Sequence, residues 1–309
     1  MAGRLRAYLQ LVRLPNLFTA AADPLAGWIF AGGAIPSGRI WGPLVASGVV
    51  TYAAGMVLND LFDREDDHRE RPGRPIPSGR VSLAVAGGLG WTLIAIAPVL
   101  AAFAGTTSLI VSLALVAAVL GYDLGLKRTP MGPQVMGACR GLNLLLGMSP
   151  MVDLGGASGW LAAGAFATFV AGVTWISRDE VHSGRRRGLI AGMVFQSFAV
   201  IALIAAGMAG YAARGDLPAP GINLFGQKIG PMLGVFILLL TGRFVGRADS
   251  RALSHPTPAT LQAAVKTGVF ALVWLDVGLV AAARGPILAL PVAALWLPAF
   301  LIGRRLYAT

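Results

Sequence analysis

Ten mostly apolar stretches follow one another along the chain, at about 16–36, 41–59, 82–103, 106–122, 132–152, 157–176, 189–211, 229–242, 263–283 and 285–303. Most run for roughly 17–23 residues, the length a helix needs to cross the hydrocarbon core of a bilayer. Within that core every backbone N–H and C=O must be satisfied inside the protein, so only helices and closed barrels span it. The stretches lack the alternation of a barrel wall. They predict an all-α integral membrane protein of nine or ten transmembrane helices. The eighth is short, and the ninth and tenth are joined only by Arg284-Gly285. Composition agrees: 56% of the 309 residues are hydrophobic and 13% are charged, against about a quarter charged in soluble domains. A soluble globule and a disordered chain are both excluded. The 41 glycines suit helices whose backbones approach closely. The single Cys139 excludes a disulfide within the chain and a zinc site built on cysteines.

The net charge of +11 is mainly a matter of orientation. With ten spans both termini lie on one side, and 20 of the 25 Lys and Arg fall there, against four on the other. The positive-inside rule then predicts cytoplasmic termini and long basic loops, in a multi-pass protein of the cell inner membrane. Nucleic acid is not an expected partner. Three arginines precede the first stretch, as in a signal peptide. That stretch is long and contains Asp23-Pro24, and a retained first helix is the preferred reading. The expectation is one domain over 1–309.

Six of the 14 acidic residues lie between Asp60 and Glu70, directly after the second stretch. On a helix, Asp60, Asp63 and Asp67 share a face, and Asn59 lies close to it. Three like charges on one face repel unless a cation sits among them. Hard oxygen ligands at this spacing suit Mg²⁺, which keeps several waters and shares phosphate oxygens with a ligand. The plainer alternative is a solvated mixed-charge loop with Arg64, Arg69 and Arg71 as neighbours. Arginines beside such a cluster, in Arg71-Pro72-Gly73-Arg74-Pro75-Ile76-Pro77-Ser78-Gly79-Arg80, make a place for a phosphorylated ligand.

Asn59-Asp60-x-x-Asp63-x-x-x-Asp67, followed by Arg74-Pro75-Ile76-Pro77-Ser78-Gly79-Arg80, resembles the first signature of the UbiA superfamily of intramembrane prenyltransferases. Arg13-Leu14-Pro15-Asn16 is similar to that family's start. The arginine-proline wording and Cys139-Arg140-Gly141-Leu142-Asn143 resemble the EboC-type branch. The resemblance implies a bundle around a central, lipid-accessible cavity that holds a prenyl diphosphate. Mg²⁺ and two Asp-rich motifs would hold the diphosphate. Ionisation would give an allylic carbocation, which an acceptor of unidentified nature captures. By motif position Asn59, Asp60, Asp63 and Asp67 would form the first metal and diphosphate site, with the three aspartates catalytic.

The second half of the site departs from that pattern. The family's second motif is Asp-x-x-x-Asp. Asp179 matches its first carboxylate, as a catalytic and metal residue, but Ser183 stands in place of the second. Arg178 and His182 become candidate diphosphate partners. So do Lys127 and Arg128, although Lys127 comes one residue later after Tyr122 than the family spacing. A basic pair flanking a span is the alternative for these two. Arg140 and Asn143 lie on one face inside the fifth stretch, where a charge costs roughly 2.5–3.5 kcal/mol on insertion scales. Arg140 therefore either touches the diphosphate or pairs with Asp23 or Asp276. Trp91, Trp160, Trp175 and Trp274 fall in a class more often used as interface anchors than as cation shields, and no role is assigned to them. The leading function is Mg²⁺-dependent prenyl transfer. The alternative is a prenyl-lipid-binding or transport protein on the same fold.

Overall fold

The computed structural model describes residues 2–178, 186–214 and 224–306. Among them the chain is helical throughout, with no strand. In order the helices are α1 (Ala2–Leu11), α2 (Leu14–Phe30), α3 (Gly38–Phe62), α4 (Arg64–Glu70), α5 (Leu83–Ala102), α6 (Thr106–Leu124) and α7 (Gly132–Met148). Then come α8 (Gly156–Arg178), α9 (Arg186–Ala212), α10 (Leu224–Ser254), α11 (Pro258–Arg284), α12 (Pro286–Ala294) and α13 (Trp296–Leu306). Eight segments are long and apolar enough to cross a membrane: α3, α5, α6, α8, α9, Ile229–Ser254 of α10, α11, and Pro286–Arg304 across α12 and α13. The first and fifth expected stretches are α2 and α7, each of 17 residues. These two are shorter than the other spans, and tertiary packing buries much of both.

Local sequence sets the helix ends. Pro15 and Pro133 occupy first-turn positions of α2 and α7, where a missing N–H costs nothing. Thr257 and Thr260 form a reciprocal capping box at the start of α11. Small residues then let the central helices touch. A Cβ on Gly147 of α7 would collide with the carbonyl of Pro24 on α2, and one on Gly137 with the carbonyl of Ala167 on α8. Helix α2 packs on α7, α7 on α8, α8 along α9, and α10 along α11. Helices α5 and α6 turn large apolar side chains outward, among them Ile96, Val99 and Ile110. In water such a face would aggregate, whereas lipid solvates it.

Three expectations change. The eighth stretch, expected at 229–242, belongs to a helix that runs on to Ser254 and carries Arg243, Arg247 and Arg251. Charge ends the apolar span without ending the helix, because arginine has good helix propensity. The tenth stretch is two helices broken at Leu295. Pro298 has no N–H to offer the Ala294 carbonyl. The acidic segment is interrupted at Asp63 (φ −88°, ψ 9°) between α3 and α4. Its register survives, since Asp63 N–H donates to Asn59 O at 2.9 Å and Asp67 N–H to Asp63 O at 2.8 Å.

Candidate active site

The end of α3, the short α4 and the loop 71–82 gather the acidic motif around cationic side chains. Asp60 and Asp67 are both buried. Their carboxylates converge on one nitrogen: Arg74 Nη1 lies 3.1 Å from Asp60 Oδ1 and 2.5 Å from Asp67 Oδ2. Arg13 Nη2 approaches Asp60 Oδ1 at 3.6 Å. Arg13 joins α1 to α2 with a left-handed backbone, φ 50°. That conformation costs a non-glycine residue about 1–2 kcal/mol, and it directs this arginine back to the motif. Asp63 turns instead to Lys127, whose Nζ is 2.7 Å from Oδ2. Arg128 is exposed and bridges Asp66 at 3.1 Å and Asp63 at 3.9 Å. Asn59 Nδ2 donates to Asp123 Oδ1 at 2.9 Å.

The cations among the motif's charges are thus side chains. Among the described residues no three acidic, histidine or cysteine side chains are grouped closely enough to cage a metal. Yet two carboxylate oxygens aimed at one point are a hard donor set. Mg²⁺ is commonly held by one or two carboxylates and completed by water and phosphate oxygens. The residues fit that arrangement, and they do not fit an all-protein cage.

Arg178 supports this site from behind. Its Nη2 donates to the carbonyls of Lys127 and Thr129, the latter at 2.6 Å, and so fixes the turn that carries Lys127. Arg80 ties the loop together through Gly73 O, Ser78 Oγ and Gln10 Oε1. Arg140 takes the ion-pair alternative: its Nε lies 3.1 Å from Asp23 Oδ2, and Nη2 donates to Thr19 O at 3.1 Å. Asn143 Nδ2 donates to the same Asp23 Oδ2 at 2.7 Å. Asp276, wholly buried, faces Asp23. Asp179, His182 and Ser183 lie outside the described residues.

Three cavities meet here. The first, of about 780 Å³, is strongly basic, with Arg13, Arg71, Arg74, Arg80 and Lys266 around Asp60. The second, of about 640 Å³, is apolar and aromatic, walled by Phe244, Trp274, Trp296 and Phe300 between α10, α11 and α13. Lys266, Phe270 and Gly303 line both. The third, of about 160 Å³, holds Asn59, Tyr122, Asp123, Cys139 and Arg140, and shares Arg13 with the first. Sequence reasoning left Asp123 without a role and counted Lys266 only for orientation. Lys266 is an ionisable residue inside an apolar stretch and Asp123 directly follows one, and that signal could have singled them out.

A family model described as the UbiA prenyltransferase family matches residues 24–241. The chain belongs to that family. Among UbiA relatives, the digeranylgeranylglyceryl phosphate synthase of Methanoregula boonei is 28% identical over 279 residues, covering 86% of this chain and 95% of that enzyme. The synthase of Methanopyrus kandleri is 46% identical over 78 residues, 25% of this chain. The chain spans only 28% of that enzyme's length, and 32% of the Ignicoccus hospitalis synthase. The UbiA homolog of Aeropyrum pernix superposes with a TM-score of 0.60 at 20% identity, covering 85% of this chain and 96% of that one. A homolog from Archaeoglobus fulgidus, solved with GPP and Mg²⁺, gives 0.55 at 14% identity, covering 86% and 99%. At these identities the two structures establish the fold.

Proposed function

We propose that this protein transfers a prenyl group from a prenyl diphosphate to an acceptor within the membrane, with Mg²⁺ as cofactor. The observation that carries the reading is the wall formed by Lys266, Phe270 and Gly303, which lines both a cationic cavity and an apolar, aromatic one. A ligand with an anionic head and an isoprenoid tail matches both halves. Arg13, Arg71, Arg74 and Lys266 would hold the head, and Lys127 would reach it from beside Asp63. Asp60 and Asp67 orient Arg74, and with Asn59 and Asp63 they form the first metal half. Asp179 and His182 belong to the second half in this reading, Arg178 positions Lys127, and Arg128 adds charge at the rim. Arg140 acts through its pairing with Asp23 rather than on the diphosphate.

Breaking the bond between C1 and the diphosphate leaves negative charge on the leaving group. Preorganised guanidinium and ammonium groups stabilise that charge without reorganising. When bound, Mg²⁺ neutralises part of the same charge. The acceptor forms the new bond to C1 and loses a proton. The apolar cavity keeps water from competing for the carbon.

For the branch, the Arg74–Arg80 and Cys139–Asn143 wording supports the EboC type. The relatives' names make a glyceryl phosphate lipid the first acceptor to try. Inner-membrane location with cytoplasmic termini rests on the charge asymmetry, and a reporter fused at Thr309 should read cytoplasmic.

A second reading, binding without turnover, is favoured by the existing pairing of the motif carboxylates with Arg74 and Lys127. Purified protein in nanodiscs, given geranylgeranyl diphosphate and Mg²⁺, separates the two. Mg²⁺-dependent diphosphate release supports transfer. Saturable binding with no release on addition of acceptor lipids supports the second reading.

A further inference from the structure

Two arginines meet at the membrane face opposite the aspartate motif. Arg284 ends α11, and its Nε donates to Phe30 O at 2.8 Å. Arg214 follows α9 and lies close enough for the two charges to repel. Its Nε and Nη1 are buried and have no hydrogen-bond partner among the described residues. The Tyr211 ring, 5.4 Å away, attracts its charge without satisfying those N–H groups. Both arginines line a cavity of about 780 Å³ with Phe30, Met151 and Leu288 as apolar wall. Gly32 (φ 104°) keeps that cavity open, since a Cβ there would press on the Arg284 guanidinium. The one acid in the wall, Asp153, is exposed and pairs with neither arginine among the described residues.

Two half-buried guanidiniums lie side by side, one with orphaned donors, and neither has an acidic partner among the described residues. The forked donors of arginine match phosphate oxygens. The apolar wall continues outward through Ile287 and Leu290, both exposed on α12, which suits a lipid chain and gives free phosphate nothing to hold. The 17 residues of α2 separate this cavity from the aspartate motif by about 25 Å, so one diphosphate cannot touch both.

We propose that Arg214 and Arg284 form a second phosphate site, which binds the head of a phosphate lipid in the leaflet opposite the aspartate motif. Its occupant is distinct from the prenyl diphosphate of the reaction.

Native mass spectrometry of the full chain with phosphatidic acid, diacylglycerol or inorganic phosphate tests this. Phosphatidic acid should bind and diacylglycerol should not. The Arg214→Gln/Arg284→Gln protein should bind phosphatidic acid about tenfold more weakly, equivalent to about 1.4 kcal/mol. Arg214→Gln alone removes no hydrogen bond to protein among the described residues, so it should fold as the wild type does and still weaken binding. Unchanged phosphatidic acid binding in both variants overturns the site. Equal binding of diacylglycerol overturns the role of phosphate, and displacement by equimolar inorganic phosphate overturns the lipid as occupant. Binding of a non-hydrolysable prenyl diphosphate analogue, read in the same spectra, should survive both variants. Its failure in the wild type would count against prenyl transfer and leave the arginine result standing.

Discussion

Two clusters of carboxylate and guanidinium in this molecule use the same chemistry in different surroundings. At the rim, Arg74 holds Asp60 and Asp67 with 23% of its side chain exposed, beside a large cavity with surplus positive charge. Inside the bundle, Arg140 holds Asp23 with side chains 8% and 0% exposed, backed by Thr19, Asn143 and Asp276. Water and ligand phosphate can compete for the rim pairs, so these can be exchanged as a ligand arrives. Asp23 is wholly buried, with only Arg140 of the pair lining the small third cavity, and there the pair serves to join α2 to α7. Position in the bundle, more than residue type, separates a candidate reaction site from a structural ion pair.

The largest effect expected is at the inner cluster. Asp23→Ala leaves Arg140 buried without its partner, which costs about 3–5 kcal/mol in comparable cases. Thermal unfolding in detergent should show the loss. A melting temperature equal to wild type would mean that Asp276 takes over the guanidinium and that the pair is interchangeable. Asp63→Ala at the rim should leave folding intact and lower turnover by at least about 100-fold, or about 2.7 kcal/mol of transition-state stabilisation. Wild-type turnover in that variant would remove the motif from the reaction and erase the contrast.

Arg178→Gln should act more mildly. It frees the Lys127–Thr129 turn without touching the ligand, and losing such an outer support typically costs about 10–100-fold. The expected signature is weaker binding of a prenyl diphosphate analogue with unchanged Mg²⁺ dependence. A change in the Mg²⁺ requirement would place Arg178 on the metal side instead. The smallest effect belongs to Ser183→Asp. A carboxylate four residues after Asp179 faces the same way on a helix, and should lower the Mg²⁺ concentration needed for analogue binding a few-fold. Weaker binding at every Mg²⁺ concentration would show that the second half of the site is basic and poor in metal.

Much of the fold was legible because a bilayer leaves few choices. Apolar length marks spans, and the stretches around Asp23 and Arg140 became α2 and α7 despite their charges. The full length of α10 was not legible, because hydropathy reports where burial in lipid ends and says nothing of where helical hydrogen bonding ends. At the site, Asn59, Asp60, Asp63 and Asp67 stood out because acids crowded at an apolar helix end demand a cation. Which cations answer them was not visible: Arg74 comes from a proline-rich loop, Lys127 from the turn after α6, and Arg13 from a left-handed junction.

The sequence by itself determined the membrane class, the register of the acidic motif and the crowding of basic residues around it. Those properties depend on length, periodicity and charge along the chain. Tertiary structure alone decided that Asp60 and Asp67 share Arg74 while Asp63 takes Lys127, that Arg140 belongs to Asp23, and that Lys266 and Phe270 line a basic cavity and an aromatic one at once. Except for the Arg74 pairs, which are local to the motif and its loop, these join residues far apart in the chain, and the close packing of small residues between the helices sets which side chains can meet.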